Sequence, residues 1–242
     1  MTVSRTSRIR NPAPYWIVST IELTRVDLGE VPYRDAIADM AGWVEERRAG
    51  RAPDRLFLLS HPPVITYGRG TAAADLPTDP EIPVVPVDRG GHATYHGPGQ
   101  LVGYLVVNLR QRGAGDIVRR LERGLIEALA ALGFPAIRRD TPRGSPSLVG
   151  IWTPDHRKVA SIGMRIRGAV TSHGFALNVD TDLSVFDRFV ACQLPGVEMT
   201  SLHQLARESG RVPPTGATVR DAVAEALGAR PAVAVTGDRL IR

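Results

Sequence analysis

The stretch Leu101 to Leu109, LVGYLVVNL, constrains the fold more than any other part of this 242-residue chain. Successive side chains of a β-strand point to opposite faces, and here both sets are apolar until Asn108 near the end. A strand of that kind must be covered on both sides. The chain is therefore expected to build a sheet with this strand at its centre and other elements packed on each face.

The flanking sequence supplies the cover. Tyr33, Ile37, Met40 and Val44 recur at helical spacing, which predicts an amphipathic helix over Pro32 to Arg48 with proline in its first turn. Ile117, Leu121, Leu125, Leu129 and Leu132 predict a second helix, closed by Gly133. Further strands are expected at Trp16 to Leu23, Leu56 to Leu59, Val64 to Tyr67, Val84 to Val87, Ser147 to Trp152, Lys158 to Ile166 and Val170 to Val179. Beyond about Thr200, two short helices near Leu202 to Arg207 and Val219 to Leu227 flank a Pro- and Gly-rich joint, Val212 to Gly216. Strands outnumber helices and cluster instead of alternating with them, which indicates an α+β fold, a mixed β-sheet flanked by helices. The expected organisation is a flexible arm over 1–14, one catalytic domain over 15–210 and a helical extension over 211–242 packed on that domain.

Cysteine usage narrows the class. Cys192 is the single cysteine, so neither an intrachain disulfide framework nor a cysteine-rich zinc cluster is available. With 43% hydrophobic and 23% charged residues, the chain can bury a full core without staples. Met1 to Pro14 lacks the apolar segment of a secretory signal, and no apolar run approaches the roughly 20 residues that span a bilayer. A cytoplasmic protein without a membrane role is expected. A net charge of +5 and a pI of about 10.0 favour acidic partners, nucleic acid or protein. The arginines are scattered, with little aromatic interleaving, which argues against a platform for stacking bases.

Lys158 is the single lysine among 30 basic residues. Arginine stays protonated in proteins, whereas lysine can serve as a base when its surroundings favour the neutral amine. By strict alternation Lys158 falls in phase with Ala160, Ile162, Met164 and Ile166, the apolar face of its strand. It is either a buried amine or a strand-end lysine snorkelling to solvent. Cys192 lies in a short apolar segment running into Pro195-Gly196. It is either a small buried hydrophobe or a thiolate nucleophile that needs a nearby cation or base. The loop from Asp88 to Gln100 is dense in Gly and His but is not a phosphate-binding Gly-Lys-Ser/Thr loop. His92 and His96 are four apart, but Gly97-Pro98-Gly99 forbids the helix that would pair them on a metal, so no metal is expected. Such a loop suits closure on a ligand, with exposed N–H groups to polarise a carbonyl, as well as it suits a plain tight turn.

Three segments in order, Arg89-Gly90-Gly91-His92-Ala93-Thr94-Tyr95-His96-Gly97-Pro98-Gly99-Gln100, Arg157 to Gly163 and Ser172 to Val179, resemble the lipoyl(octanoyl) transferase family of the biotin/lipoate protein ligase superfamily. The resemblance covers about Leu56 to Leu205. It implies the superfamily's fold and transfer of an octanoyl group from acyl carrier protein to a lysine of lipoyl domains, those of 2-oxoacid dehydrogenase complexes and of the glycine cleavage H protein. It implies an acyl-thioester on Cys192, with Lys158 as the lysine beside it. The implied substrate-binding residues are Arg89, Gly90, Gly91, His92, Ala93, Thr94, Tyr95, His96, Ser161, Ile162, Gly163, Gly174, Phe175 and Ala176. Neither ATP nor a metal is needed, because a thioester is already activated. One departure stands out: the family's Pro-Cys-Gly is Ala191-Cys192-Gln193 here.

The expected mechanism is ping-pong, with the oxyanion held by backbone N–H groups of the Gly-rich loop or of Ser161-Ile162-Gly163, and the acyl tail against strands such as Leu101 to Leu109. Its rivals are an ATP-dependent lipoate or biotin ligase, a cysteine hydrolase using His173 or His96, and a basic nucleic-acid-binding protein.

Overall fold

A computed structural model describes residues 22–78, 81–110 and 113–232. In chain order its elements are β1 (Leu23–Glu30), α1 (Tyr33–Arg48), β2 (Arg55–Ser60), β3 (Val64–Tyr67), β4 (Val84–Pro86), β5 (Thr94–His96), β6 (Gln100–Val106), α2 (Ala114–Ala131), β7 (Gly150–Trp152), β8 (Lys158–Arg167), β9 (Val170–Asn178), α3 (Leu202–Glu208), α4 (Gly216–Ala226) and β10 (Ala229–Pro231). The main sheet runs β10-β1-β2-β6-β9-β8-β7. Its β10, β1 and β2 are mutually parallel and the other neighbours antiparallel, so the sheet is mixed. A second sheet, β4-β3-β5, sits apart from it.

The apolar strand is central, as its composition demands: every residue of β6 is buried. Leu101 and Leu105 face the cluster formed with Ile117, Leu121, Leu125 and Leu129 of α2 and Val219 and Val223 of α4. Val102, Tyr104 and Val106 face the other side, with Ala36 and Met40 of α1. The second sheet builds its own core on Ile65 and Tyr95, closed by Val185, Phe186 and Phe189. It meets the main sheet where the Gly90 N–H donates to the carbonyl of Met164 at 3.0 Å. A side chain at Gly163 would strike the Gly90 carbonyl at 2.9 Å, so only glycine lets this loop lie on β8.

Three sequence expectations change. Of the strand expected at Trp16 to Leu23, residues 16–21 lie outside the described residues, and the strand observed starts at Leu23 and runs on to Glu30. That strand is only half-buried, and polar Arg25 and Asp27 are satisfied by ion pairs with each other and with Asp221, so its apolar signal is weak. Within the Gly-rich loop, Thr94–His96 is a strand antiparallel to Val64–Thr66. The strand expected from Ser147 forms only over Gly150–Trp152. At the C-terminal side, α4 packs on α2 and β10 extends the main sheet beside β1.

Candidate active site

Between the main sheet and the loop leading into β5 lies a pocket with about 630 Å³ of empty space, part of it open to solvent. Its floor is β6, β9 and β8, which contribute Val102, Tyr104, Gly174, Phe175, Ala176, Ser161, Ile162 and Gly163. Arg89, Gly91, His92, Thr94 and His96 line it from the loop, and Lys158 and Cys192 lie in its wall.

Lys158 is 1% exposed. Its burial does not arise from the alternation read in the sequence. Trp152 pairs with Lys158 and the adjacent Ile151 with Ala160, so Val159 is an extra residue, a β-bulge in β8. The bulge shifts the phase by one. Val159 and Ala160 both join the core on the α2 side, while Lys158 shares the pocket face with Ser161 and Gly163. The segment after Cys192 clamps it there: the Lys158 N–H donates to the Glu198 carbonyl and the Thr200 N–H to the Lys158 carbonyl, each at 2.9 Å. The ammonium lies 5.3 Å over the Trp152 ring. Gly150 leaves room for the side chain.

Cys192 sits in a short turn, half-buried, with its N–H donated to the Ala93 carbonyl at 2.8 Å. Lys158 lines the same pocket as the sulfur, and the Ser161 hydroxyl lies 3.6 Å from Sγ. Burial alone pushes the Cys192 thiol up, but Lys158, Ser161 and Arg89 together hold it below its ordinary value. Alkylation of Cys192 by iodoacetamide, followed against pH, is expected to inflect below the ordinary thiol value of 9.0. In Lys158→Met the inflection moves up. The same inflection in both proteins would break the pairing.

Among the described residues no carboxylate lines the pocket beside Arg89; its guanidinium donates to the Thr66 carbonyl and hydroxyl and to the Gly90 carbonyl. Deeper in the pocket stand aromatic rings. His61 Nδ1 is 2.6 Å from the Val31 carbonyl, which only accepts, so Nδ1 carries the proton and Nε2 accepts the Tyr104 hydroxyl at 2.7 Å. Tyr33 stacks on His96, with centroids 5.8 Å apart, and Tyr104 meets His173 edge-on at 6.0 Å. Burial, reinforced by Arg89, holds His96 well below its ordinary value and lowers His173 to about 4; burial lowers His61 as well. Burial also raises Tyr33 to about 12 and Tyr104 well above its ordinary value. The rings are therefore uncharged near neutrality, and the charge set among them is the Arg89 guanidinium.

Of the residues named from the sequence, Gly90, Ala93 and Tyr95 do not line the pocket. Gly90 and Ala93 act through the backbone bonds just given, and Tyr95 packs edge-on against Phe186. Because the Gly90 N–H is spent on Met164, it is not free to hold an oxyanion. Tyr33, Val102, Tyr104, Ser147, Val149 and His173 line the pocket without having been named as substrate-binding residues. Among the described residues no group of three His, Cys, Asp or Glu side chains is placed to hold a metal ion. Likewise among them, no helix is long and apolar enough to cross a membrane.

The lipoyl protein ligase A/B catalytic domain matches this chain over residues 32–228. The chain belongs to that family. An octanoyltransferase of Frankia casuarinae is 47% identical over 80% of this chain and 89% of its own length. One of Azotobacter vinelandii is 42% identical over 87% of this chain and 94% of its own. The solved lipoate-protein ligase A bound with ATP superposes with a TM-score of 0.66 at 18% identity, covering 87% of this chain and 88% of that one, which shows a shared fold. Cys192 and Gln193 both adopt left-handed backbone, at φ +58° and +56°. Gln193 thus holds, at some conformational cost, a backbone geometry that glycine would take freely.

Proposed function

We propose that this protein is an octanoyltransferase of protein lipoylation, working through an acyl-thioester on Cys192 with Lys158 as its proton carrier. The observation that carries the reading is that the single lysine, buried, and the single cysteine line one pocket, where the charge of Lys158 helps to hold the Cys192 thiol below its ordinary value. Lys158 first takes the proton of Cys192, giving a thiolate beside an ammonium. The thiolate attacks the carbonyl of an octanoyl thioester borne by acyl carrier protein, and the oxyanion collapses to expel the carrier thiolate. That thiolate takes the proton from the Lys158 ammonium, leaving a neutral amine beside acyl-Cys192. The amine of a lipoyl-domain lysine then attacks the acyl-enzyme, Lys158 accepts its proton, and the Cys192 thiolate leaves. Each half-reaction returns what the other consumed, with no call on ATP or metal. The Arg89 guanidinium adds positive charge near the developing oxyanion. Acceptors are lipoyl domains such as those of 2-oxoacid dehydrogenase complexes and the glycine cleavage H protein.

The ligase rival leaves Cys192 idle. Incubation with octanoyl-acyl carrier protein and no ATP is expected to add one octanoyl group to Cys192, released by hydroxylamine and passed to an added lipoyl domain. Modification that appears only with ATP would sink the transferase reading. A nucleic-acid role finds little support, because many arginines are tied to carboxylates, among them Arg25, Arg47, Arg55 and Arg157.

A further inference from the structure

We propose that Tyr33 and His173 form a partition that sets how long an acyl chain the pocket accepts. The inference rests on the transferase reading and deepens it. Two cavities meet at this point. The first is the pocket that holds Cys192. The second has about 1200 Å³ of empty space, also partly open to solvent, and is lined by residues including Arg34, Ile37, Val85, Asp88 and Arg165. Tyr33 and His173 are the two residues that border both.

The direction of the acyl chain follows from what must reach the sulfur. Donor thioester and acceptor lysine are both carried on proteins, so the Cys192 end of the pocket must stay accessible to them. The tail takes the other direction, along the sheet. Ser161, beside the sulfur, pairs with Ala176 of β9, and Met164 pairs with His173. Three residue steps along the strand lead from Ala176 to His173, roughly 10 Å at the usual rise. Val102, Tyr104 and Gly174 line that path. It ends on the rings of Tyr33, Tyr104 and His173, which are uncharged near neutrality, while the nearby Arg89 guanidinium is turned onto Thr66 and the Gly90 carbonyl.

His173 is fixed where it stands. It is 7% exposed and holds a left-handed backbone, φ +59°, inside a strand. Its N–H donates to Met40 Sδ at 3.3 Å. A non-glycine residue kept in that conformation is held by its surroundings. Tyr33 opens α1 and is likewise buried, its ring stacked on His96 and edge-on to His61 at 5.1 Å. A wall so braced does not yield to a longer chain, and past it there is open space.

The test uses N-acetylcysteamine thioesters from hexanoyl to tetradecanoyl and reads Cys192 acylation rates by intact mass. In the unsubstituted protein the rate is expected to fall roughly tenfold or more between octanoyl and dodecanoyl. His173→Gly removes the ring and relieves the backbone; it should cancel that fall by gaining at dodecanoyl and beyond. His173→Phe keeps a ring and should keep the fall. A thermal melt accompanies each variant, and Tyr33→Leu carries the same expectation as His173→Gly should the latter fail to fold. The same length profile in the opened variants as in the unsubstituted protein overturns the partition. So does a His173→Phe variant that loses acylation equally at every length, which would mark the imidazole as a proton carrier. Absence of an acyl adduct at all lengths in the unsubstituted protein would instead overturn the transferase reading.

Discussion

Lys158→Arg is expected to lower octanoyl transfer to a lipoyl domain by about 10²- to 10⁴-fold, the usual worth of a positioned acid–base group. Arginine keeps the positive charge beside Cys192, so the thiolate still forms. A guanidinium cannot release its proton to the departing carrier thiolate or take one from the attacking amine. The second half-reaction depends wholly on that uptake and should suffer more. In a single-turnover experiment the octanoyl adduct on Cys192 therefore accumulates and persists after lipoyl domain is added. Transfer at the unsubstituted rate would remove Lys158 from the chemistry.

Gly150→Ala is expected to cost about 10²-fold in the same assay without touching either reacting residue. Gly150 has φ +143°, and a Cβ there would lie 2.8 Å from Lys158 Cε and 2.6 Å from the Ala160 carbonyl. The strand carbonyl cannot give way, so the lysine side chain must. A displacement of about 1 Å at a reacting group is worth about that much rate. Strained backbone of this type also costs roughly 1–3 kcal/mol, which in a domain of this size lowers the melting temperature by roughly 2–4 °C per kcal/mol. An alanine variant with full activity and an unshifted melt would show that Lys158 has slack its surroundings do not suggest.

The centre of the fold was legible because β6 states its environment twice, once in its odd residues toward α2 and α4 and once in its even residues toward α1. The burial of Lys158 was legible too, but its face was not. Alternation assigns every second residue to one side, and a single unpaired Val159 reverses the assignment for all that precedes it. Nothing in the residue types announces that. Val102 and Tyr104 belong to the strand expected to line the acyl tail, and both line the pocket; Tyr33 escaped for a different reason. It sits on a helix face whose apolar spacing already accounts for it as core, so its second role as pocket wall leaves no mark on the pattern. His173 did stand out as a possible base, yet its nearest ring is Tyr104. The strand Leu23–Glu30 was hidden by its charged residues, which only the fold shows to be paired.

The aromatic wall also governs how the protein meets acid. An unfolded imidazole titrates near 6.5, whereas His173 in place does so at about 4, with His96 and His61 shifted in the same direction. Below pH 6.5 the unfolded chain takes up protons that the folded one refuses, so folding weakens as pH falls. For His173 the stability present above that pH is about 3 kcal/mol, drained by the time pH reaches 4. The neutral rings that suit the pocket to a hydrocarbon tail thus make the same pocket the protein's acid-labile seam.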